Sequence, residues 1–247
     1  MQILMAIIFY SIAASFFSML IYRLNNDVSL INPKNSICPH CKHQLAPHDL
    51  IPIYSYLKNG GKCAYCKKKI DLNYFLLEII FVLWGVLGIV FKIPLLTVFL
   101  CLSLAVILFS DLKYKEIPYL FMGLTAVLAA TAAYKTILSN WQNIFLVIIF
   151  YAVIKTVETV YYKKEVFGRA DIILFVIFSF YFSINNFILF IYLSFFLGAV
   201  VSGLLMLFRV VSKQALIPFA PYIVISFYLT EFFGRQIIAG YWKLFDV

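Results

Sequence analysis

Eight apolar segments recur along this 247-residue chain, at about residues 3–22, 74–91, 95–110, 119–134, 144–162, 170–183, 187–208 and from 218 to at least 233. Runs of that length restrict the fold severely. The bilayer core offers no water to backbone N–H and C=O groups, so each segment has to satisfy its own hydrogen bonds as a helix. Composition agrees: only 13% of the residues are charged, against about a quarter in soluble domains. The expected fold is therefore an all-α polytopic membrane protein of about eight transmembrane helices. The first run lacks a basic leading region and is long, so it is expected to be a retained helix rather than a cleaved signal peptide. Residues 1–22 form the first transmembrane helix, 23–73 a polar loop, and 74–247 a multi-helix membrane domain.

Lysine and arginine set the orientation. With the 23–73 loop placed inside, fifteen basic residues fall in inside segments: Arg23, Lys34, Lys42, Lys58, Lys62, Lys67, Lys68, Lys69, Lys113, Lys115, Lys163, Lys164, Arg169, Arg209 and Lys213. Four fall outside, namely Lys92, Lys135, Arg235 and Lys243. That bias places the loop in the cytoplasm and, with eight spans, both termini outside. The net charge of +9 is thus a membrane-orientation signal, with lipid as the neighbour and no nucleic acid implied.

The loop carries Cys38-Pro39-His40-Cys41 and Cys63-Ala64-Tyr65-Cys66, separated by twenty-one residues. Two Cys-x-x-Cys pairs at such spacing match a structural zinc site of four thiolates. A redox pair is the alternative, but reducing cytoplasm favours metal over disulfide. The loop has too little apolar content to build its own core, and metal would supply the missing stability. His40, His43 and His48 are not needed for a closed set of four thiolates. Cys101 lies inside the third segment and is expected to be a small buried apolar residue. Between the two pairs, Ile51-Pro52-Ile53-Tyr54-Ser55-Tyr56-Leu57 is apolar enough either to pack on the cysteine unit or to lie at the membrane surface.

Two aspartates stand at the ends of apolar runs. Asp111 closes the third segment, with Pro118 opening the fourth. Asp171 follows Gly168 at the mouth of the sixth. The positive-inside orientation puts both at the cytoplasmic face. Intramembrane carboxylates are costly and mark functional sites. Two brought together can share one proton, one serving as general base towards water and the other as general acid. Equally, each could be an interfacial capping carboxylate paired with a neighbouring lysine: Lys115 for Asp111, and Lys163 or Lys164 for Asp171. Residue chemistry alone leaves those two readings level. A transporter coupled through intramembrane carboxylates, with the cysteine loop as a docking module, is a further class.

The ordered motifs resemble those of the type IV prepilin leader peptidases, the bacterial GxGD-type aspartic proteases, over almost the whole chain. Ala14-Ser15-Phe16-Phe17-Ser18 with Ile21-Tyr22-Arg23-Leu24 is similar to the family's first helix. Cys38-Pro39-x-Cys41, Ile51-Pro52-Ile53-x-Ser55-Tyr56-Leu57 and Gly61-Lys62-Cys63-x-x-Cys66 are similar to its cytoplasmic domain. Glu78 stands where the family has a glutamate in its second helix. Asp111 with Ile117-Pro118, Gly168-Arg169-Ala170-Asp171 and Ile217-Pro218-Phe219-Ala220-Pro221-Tyr222 complete the series.

The resemblance implies Asp111 and Asp171 as catalytic residues and Cys38, Cys41, Cys63 and Cys66 as zinc ligands, in an inner-membrane enzyme. The substrate implied is a prepilin or pseudopilin helix, cut after a glycine at the end of a short basic leader. It also implies S-adenosylmethionine-dependent methylation of the new amino terminus, with Glu78 the one candidate for contact with that cofactor. Ala14, Ser18, Ala170, Ile173 and Ala220 depart from the family pattern. They bear chiefly on methylation, and the changes from glycine to alanine at Ala14, Ala170 and Ala220 leave room for a non-catalytic pilin-binding scaffold.

Overall fold

The computed structural model describes residues 1–31, 36–163, 167–211 and 217–244. Lys34, Lys164, Glu165, Lys213 and Asp246 lie outside them. Among the described residues the protein is helical, with no strand beyond isolated bridges in the cysteine loop. A helix covers every one of the eight apolar segments. They are α1 Gln2–Asn25, α3 Leu72–Val90, α4 Leu95–Tyr114, α5 Tyr119–Ala132, α6 Asn143–Val157, α7 Arg169–Tyr181, α8 Ile184–Leu207 and α9 Ala220–Leu244; the short α2, Tyr54–Lys58, lies in the loop. Five of these are long and apolar enough to cross a bilayer: α1, α3, α4, α8, and α6 taken through Tyr161. The chain divides into two compact units, Met1–Pro118 and Tyr119–Val247.

In the first unit α1 and α3 pack along their length. Gly85 allows this, because a Cβ there would collide with the Tyr10 ring. Small residues bring membrane helices into such close contact. Phe17 and Phe81 meet one turn along, with ring centroids 5.5 Å apart. α4 is the most buried helix, with 72% of its apolar window inside. Cys101 is fully buried within it, as a small apolar residue should be. The expectation that this helix ends at Asp111 is corrected. It continues to Tyr114 and stops at Lys115, a left-handed residue whose N–H bonds the Asp111 carbonyl at 2.9 Å. The extra turn is held by Lys113, which pairs with Asp71 at 3.1 Å and lies 3.8 Å over the Tyr74 ring.

In the second unit an aromatic core of Phe175, Phe178, Phe190 and Phe227 joins α7, α8 and α9. α7 is only 13 residues long, and side chains fasten its C-terminal end. Asn143 Nδ2 donates to the Ser179 and Phe182 carbonyls at 2.9 and 2.8 Å, and Asn140 Nδ2 to those of Phe180 and Tyr181. These are the carbonyls a helix end leaves without internal partners. Asn143→Ala is expected to lower stability by about 1–3 kcal/mol, the cost of orphaning buried acceptors. Thermal unfolding in detergent would show it as a fall in Tm.

Candidate functional site

The two halves of the cysteine loop fold the same way. Cys38 N–H bonds the His43 carbonyl and Lys42 N–H returns to the Cys38 carbonyl. Cys63 and Lys67 repeat this with Lys68 and Cys63. Lys42 and Lys67 both take left-handed φ of 59°, and bridges Ile37–Gln44 and Lys62–Lys69 close each turn. Each knuckle thus turns two thiols to one side, and the two knuckles meet.

All four Sγ atoms lie within 4.8 Å of one another, Cys38 and Cys66 at 4.0 Å. In a tetrahedral site with Zn–S near 2.3 Å, sulfurs are about 3.8 Å apart, so the donor set has the type, number and spacing of a metal centre. Its electrostatics point the same way. Burial opposes ionisation of Cys38, yet the Cys41 and His40 N–H groups and the Cys63 and Cys41 thiols outweigh it and bring its pKa down to about 7. The His43 N–H favours the Cys41 thiolate, but desolvation and the neighbouring Cys38 and Cys66 sulfurs prevail and lift it to about 11. A first negative charge is accommodated and further ones are resisted, as expected of a cluster completed by a cation. Two of the three histidines are engaged elsewhere: His43 stacks on Tyr65, with centroids 3.7 Å apart, and His48 faces Asp49 at 3.5 Å.

The apolar stretch between the knuckles docks on α3. Tyr56 stacks on Phe75 with centroids 4.5 Å apart, while Tyr54 and Leu57 stay exposed. Ile53, just before α2, has φ of +62°, a conformation a β-branched residue adopts only under constraint. Glu78 supplies that constraint, its Oε2 accepting the Ile53 N–H at 2.7 Å. Among the described residues, the other Glu78 oxygen has no hydrogen-bond partner. Glu78 lines a cavity of about 580 Å³ with Tyr22, Tyr56, Tyr74, Tyr114 and Ser18. The Ser18 hydroxyl is buried there without a partner among the described residues. Half-used and unused polar atoms in a cavity of this size mark a place for a polar ligand.

Asp111 and Asp171 belong to different units, and each is 8% exposed. Asp111 sits one turn before the end of α4. Its neighbour Ser110 is anchored on both sides, accepting from Asn25 Nδ2 at 3.2 Å and donating to the Glu116 carbonyl at 2.8 Å. Asp171 is the third residue of α7, where the helix dipole favours negative charge. Its carboxylate folds back over Gly168, the residue before the helix. A Cβ on Gly168 would stand 2.7 Å from Asp171 Oδ2, so only glycine leaves room for that position.

One further buried carboxylate went unassigned by sequence. Glu158, 5% exposed, follows α6 in a π-helical turn, Glu158–Tyr162. It is one acid among several inside apolar segments, and no periodicity announces a π turn.

Residues 8–92 match the family model of the bacterial peptidase A24 N-terminal domain, and residues 98–203 that of the type IV leader peptidase family. The prepilin leader peptidase/N-methyltransferase of Bacillus subtilis (strain 168) is 29% identical over 246 residues, 96% of each chain. The protein of the same name from Vibrio cholerae serotype O1 is 38% identical over 77 residues, 28% of this chain and 30% of the relative. The type 4 prepilin-like proteins leader peptide-processing enzyme of Escherichia coli O78:H11 is 26% identical over 165 residues, 62% of this chain and 60% of the relative. No solved structure matches the chain.

Proposed function

The chain belongs to the type IV leader peptidase family, and from that premise we propose that it is a membrane aspartic endopeptidase removing the short basic leader of type IV prepilins or pilin-like subunits. The observation that carries this reading is the succession of the two family matches, in order, over residues 8–92 and 98–203.

The arrangement we propose has eight spans in the cytoplasmic (inner) membrane. The 23–73 loop, the leader and the reacting bond lie on the cytoplasmic side, and both termini lie outside. The excess of basic residues in the inside segments supports it. α5, α7 and α9 are the helices this adds to the five of spanning length. At 1.5 Å per residue α5 and α7 reach about 20 Å, so they would cross only part of a core about 30 Å thick. The substrate helix would lie in the membrane among these helices, its basic leader facing an acidic pair, which is electrostatically favourable.

Asp111 and Asp171 are the proposed catalytic pair. In this assignment Asp171, favoured as the anion by the α7 dipole, takes a proton from water as the water oxygen adds to the scissile carbonyl carbon. Asp111 gives its proton to the carbonyl oxygen. The tetrahedral adduct then collapses, the C–N bond breaks and a proton passes to the leaving amine. The motifs around both residues and the burial of both side chains support the assignment.

Zinc is the proposed occupant of the thiol cluster, held by Cys38, Cys41, Cys63 and Cys66 in a structural role. The cavity beside it is the proposed site for S-adenosylmethionine, which supplies an electrophilic methyl group on a sulfonium. The tyrosine faces would bind that cation and stack on the adenine, and Glu78 and the Ser18 hydroxyl would take polar groups of the ligand. Ser18 departs from the family pattern, yet among the described residues it contributes a buried hydroxyl without a partner to this cavity wall.

The test is the mass of a prepilin incubated with the purified protein and S-adenosylmethionine. Loss of the leader together with gain of one methyl group is the expected result. A prepilin of unchanged mass would overturn the reading. Leader loss without the methyl group would keep the peptidase and remove the methyl-donor site.

A further inference from the structure

The segment entering α7 is anchored twice at Phe167. The Phe167 ring packs against Phe150 and Phe219, with centroids 5.8 and 5.2 Å away. Its N–H donates to Glu158 Oε1 at 2.9 Å. The second Glu158 oxygen meets Lys155 Nζ at 2.7 Å, and the Glu158 carbonyl accepts the Lys163 N–H at 2.7 Å. Glu158 therefore fixes the chain on both sides of the 163–167 connection. The π turn begins at Glu158, whose own N–H still bonds the Ile154 carbonyl as part of α6, and single π turns of this kind gather at functional sites.

We infer that Glu158 is a positioning residue for Asp171, acting through the Phe167 N–H. Phe167 adjoins Gly168, and the Asp171 carboxylate rests on Gly168 with no room for a methyl group. A shift of the Phe167 backbone carries Gly168 with it, and so moves the floor beneath the carboxylate. Asn143 and Asn140 fasten the other end of α7. With Glu158 at the near end, the helix has little freedom to slide along its axis. Lys155 Nζ lies 2.7 Å from Glu158 Oε2, so this buried carboxylate has a basic partner. The inference rests on the reading of Asp171 as catalytic.

Two nearly isosteric variants separate reach from charge. Glu158→Gln keeps the length and an acceptor oxygen for the Phe167 N–H but loses the charge. Glu158→Asp keeps the charge but withdraws the oxygen from Phe167. Leader removal is measured as kcat and KM on a purified prepilin, with thermal unfolding recorded for each protein and Asp171→Asn as control. Misplacing a reacting group by about 1 Å costs up to about 100-fold. Glu158→Asp is therefore expected to lower kcat about 10–100-fold with KM held within about twofold, while Glu158→Gln stays within about threefold of the parent.

Wild-type kcat in Glu158→Asp would overturn the inference. So would equal losses in both variants, or losses that simply follow a fall in Tm. If the Asp171→Asn control cleaves normally, the catalytic assignment fails instead, and that outcome is read separately from the Glu158 pair.

Discussion

Stripping the metal from the purified protein with a strong chelator is expected to release one zinc ion per chain and unfold the 36–70 segment. Cys63→Ser is expected to give the same state without chelator. The size of the effect follows from what else holds this segment. Its hydrogen bonds are those of two short turns, a four-residue 3-10 helix at Pro47–Leu50 and the five-residue α2, with a few side-chain bonds such as that of Glu78 to Ile53. Its apolar anchorage on α3 is the Tyr56–Phe75 stack, with Tyr54 and Leu57 left exposed. Against that, a structural zinc bound by four thiolates supplies about 10–16 kcal/mol of apparent binding free energy at neutral pH, all of it unavailable to the unfolded loop.

Losing the loop also frees Ile53, whose left-handed backbone is held by Glu78, and so dissolves the wall of the neighbouring cavity. Methylation should be lost with the metal. Acid should act like the chelator. Protons compete with the metal for the four thiolates, and a protonated thiol cannot ligate until it releases that proton. Metal content by mass spectrometry and limited proteolysis of the loop are the measurements. A protein that carries no metal as purified, with an intact loop, would refute this part.

Asn at Asp111 or at Asp171 is expected to remove leader cleavage almost completely. Each substitution is close to isosteric and deletes a proton-transfer group, and such groups contribute about 10²–10⁴-fold to rate. Residues acting as one unit lose their function together, so the double variant should be scarcely slower than either single one. Folding is expected to survive, because Asn fills the same volume and can still accept hydrogen bonds. This distinguishes a catalytic aspartate from one that only caps a helix, where Asn serves as well as Asp and would leave both Tm and kcat in place. Single-turnover cleavage of a purified prepilin, paired with thermal unfolding of each variant, reads both quantities.

The sequence discloses what depends on patterns of one side-chain type, and little that depends on single contacts. Every apolar segment is a helix, because the requirement to satisfy backbone hydrogen bonds in hydrocarbon leaves no other choice. The four cysteines converge as their spacing implied, because a knuckle is a local structure set by short-range hydrogen bonds. Boundaries were less legible. α4 runs past Asp111 because Lys113 and Tyr114 find partners on α3, and α9 continues to Leu244 past Gly234, Arg235 and Gln236, which interrupt the apolar run.

The fastening of the second unit was not legible at all. Asn143, Asn140 and Glu158 are ordinary polar residues at segment edges, and their roles come from carbonyls and an N–H some 9 to 41 positions away. Glu78 was placed as a cofactor contact from resemblance alone. Its oxygen on the strained Ile53 N–H is a long-range pairing that no sequence pattern encodes. At Gly168 the sequence supplied the motif, and the geometry supplied the reason for it: the Asp171 carboxylate occupies the space a side chain would need.

The most direct test of the central claim is the mass of a prepilin left with purified Asp171→Asn protein, beside an equal amount of the parent protein, for the time in which the parent completes cleavage. The account predicts a full-length prepilin, leader attached, from a variant that unfolds at the parent's temperature. A leader-free product formed at the parent's rate would contradict it.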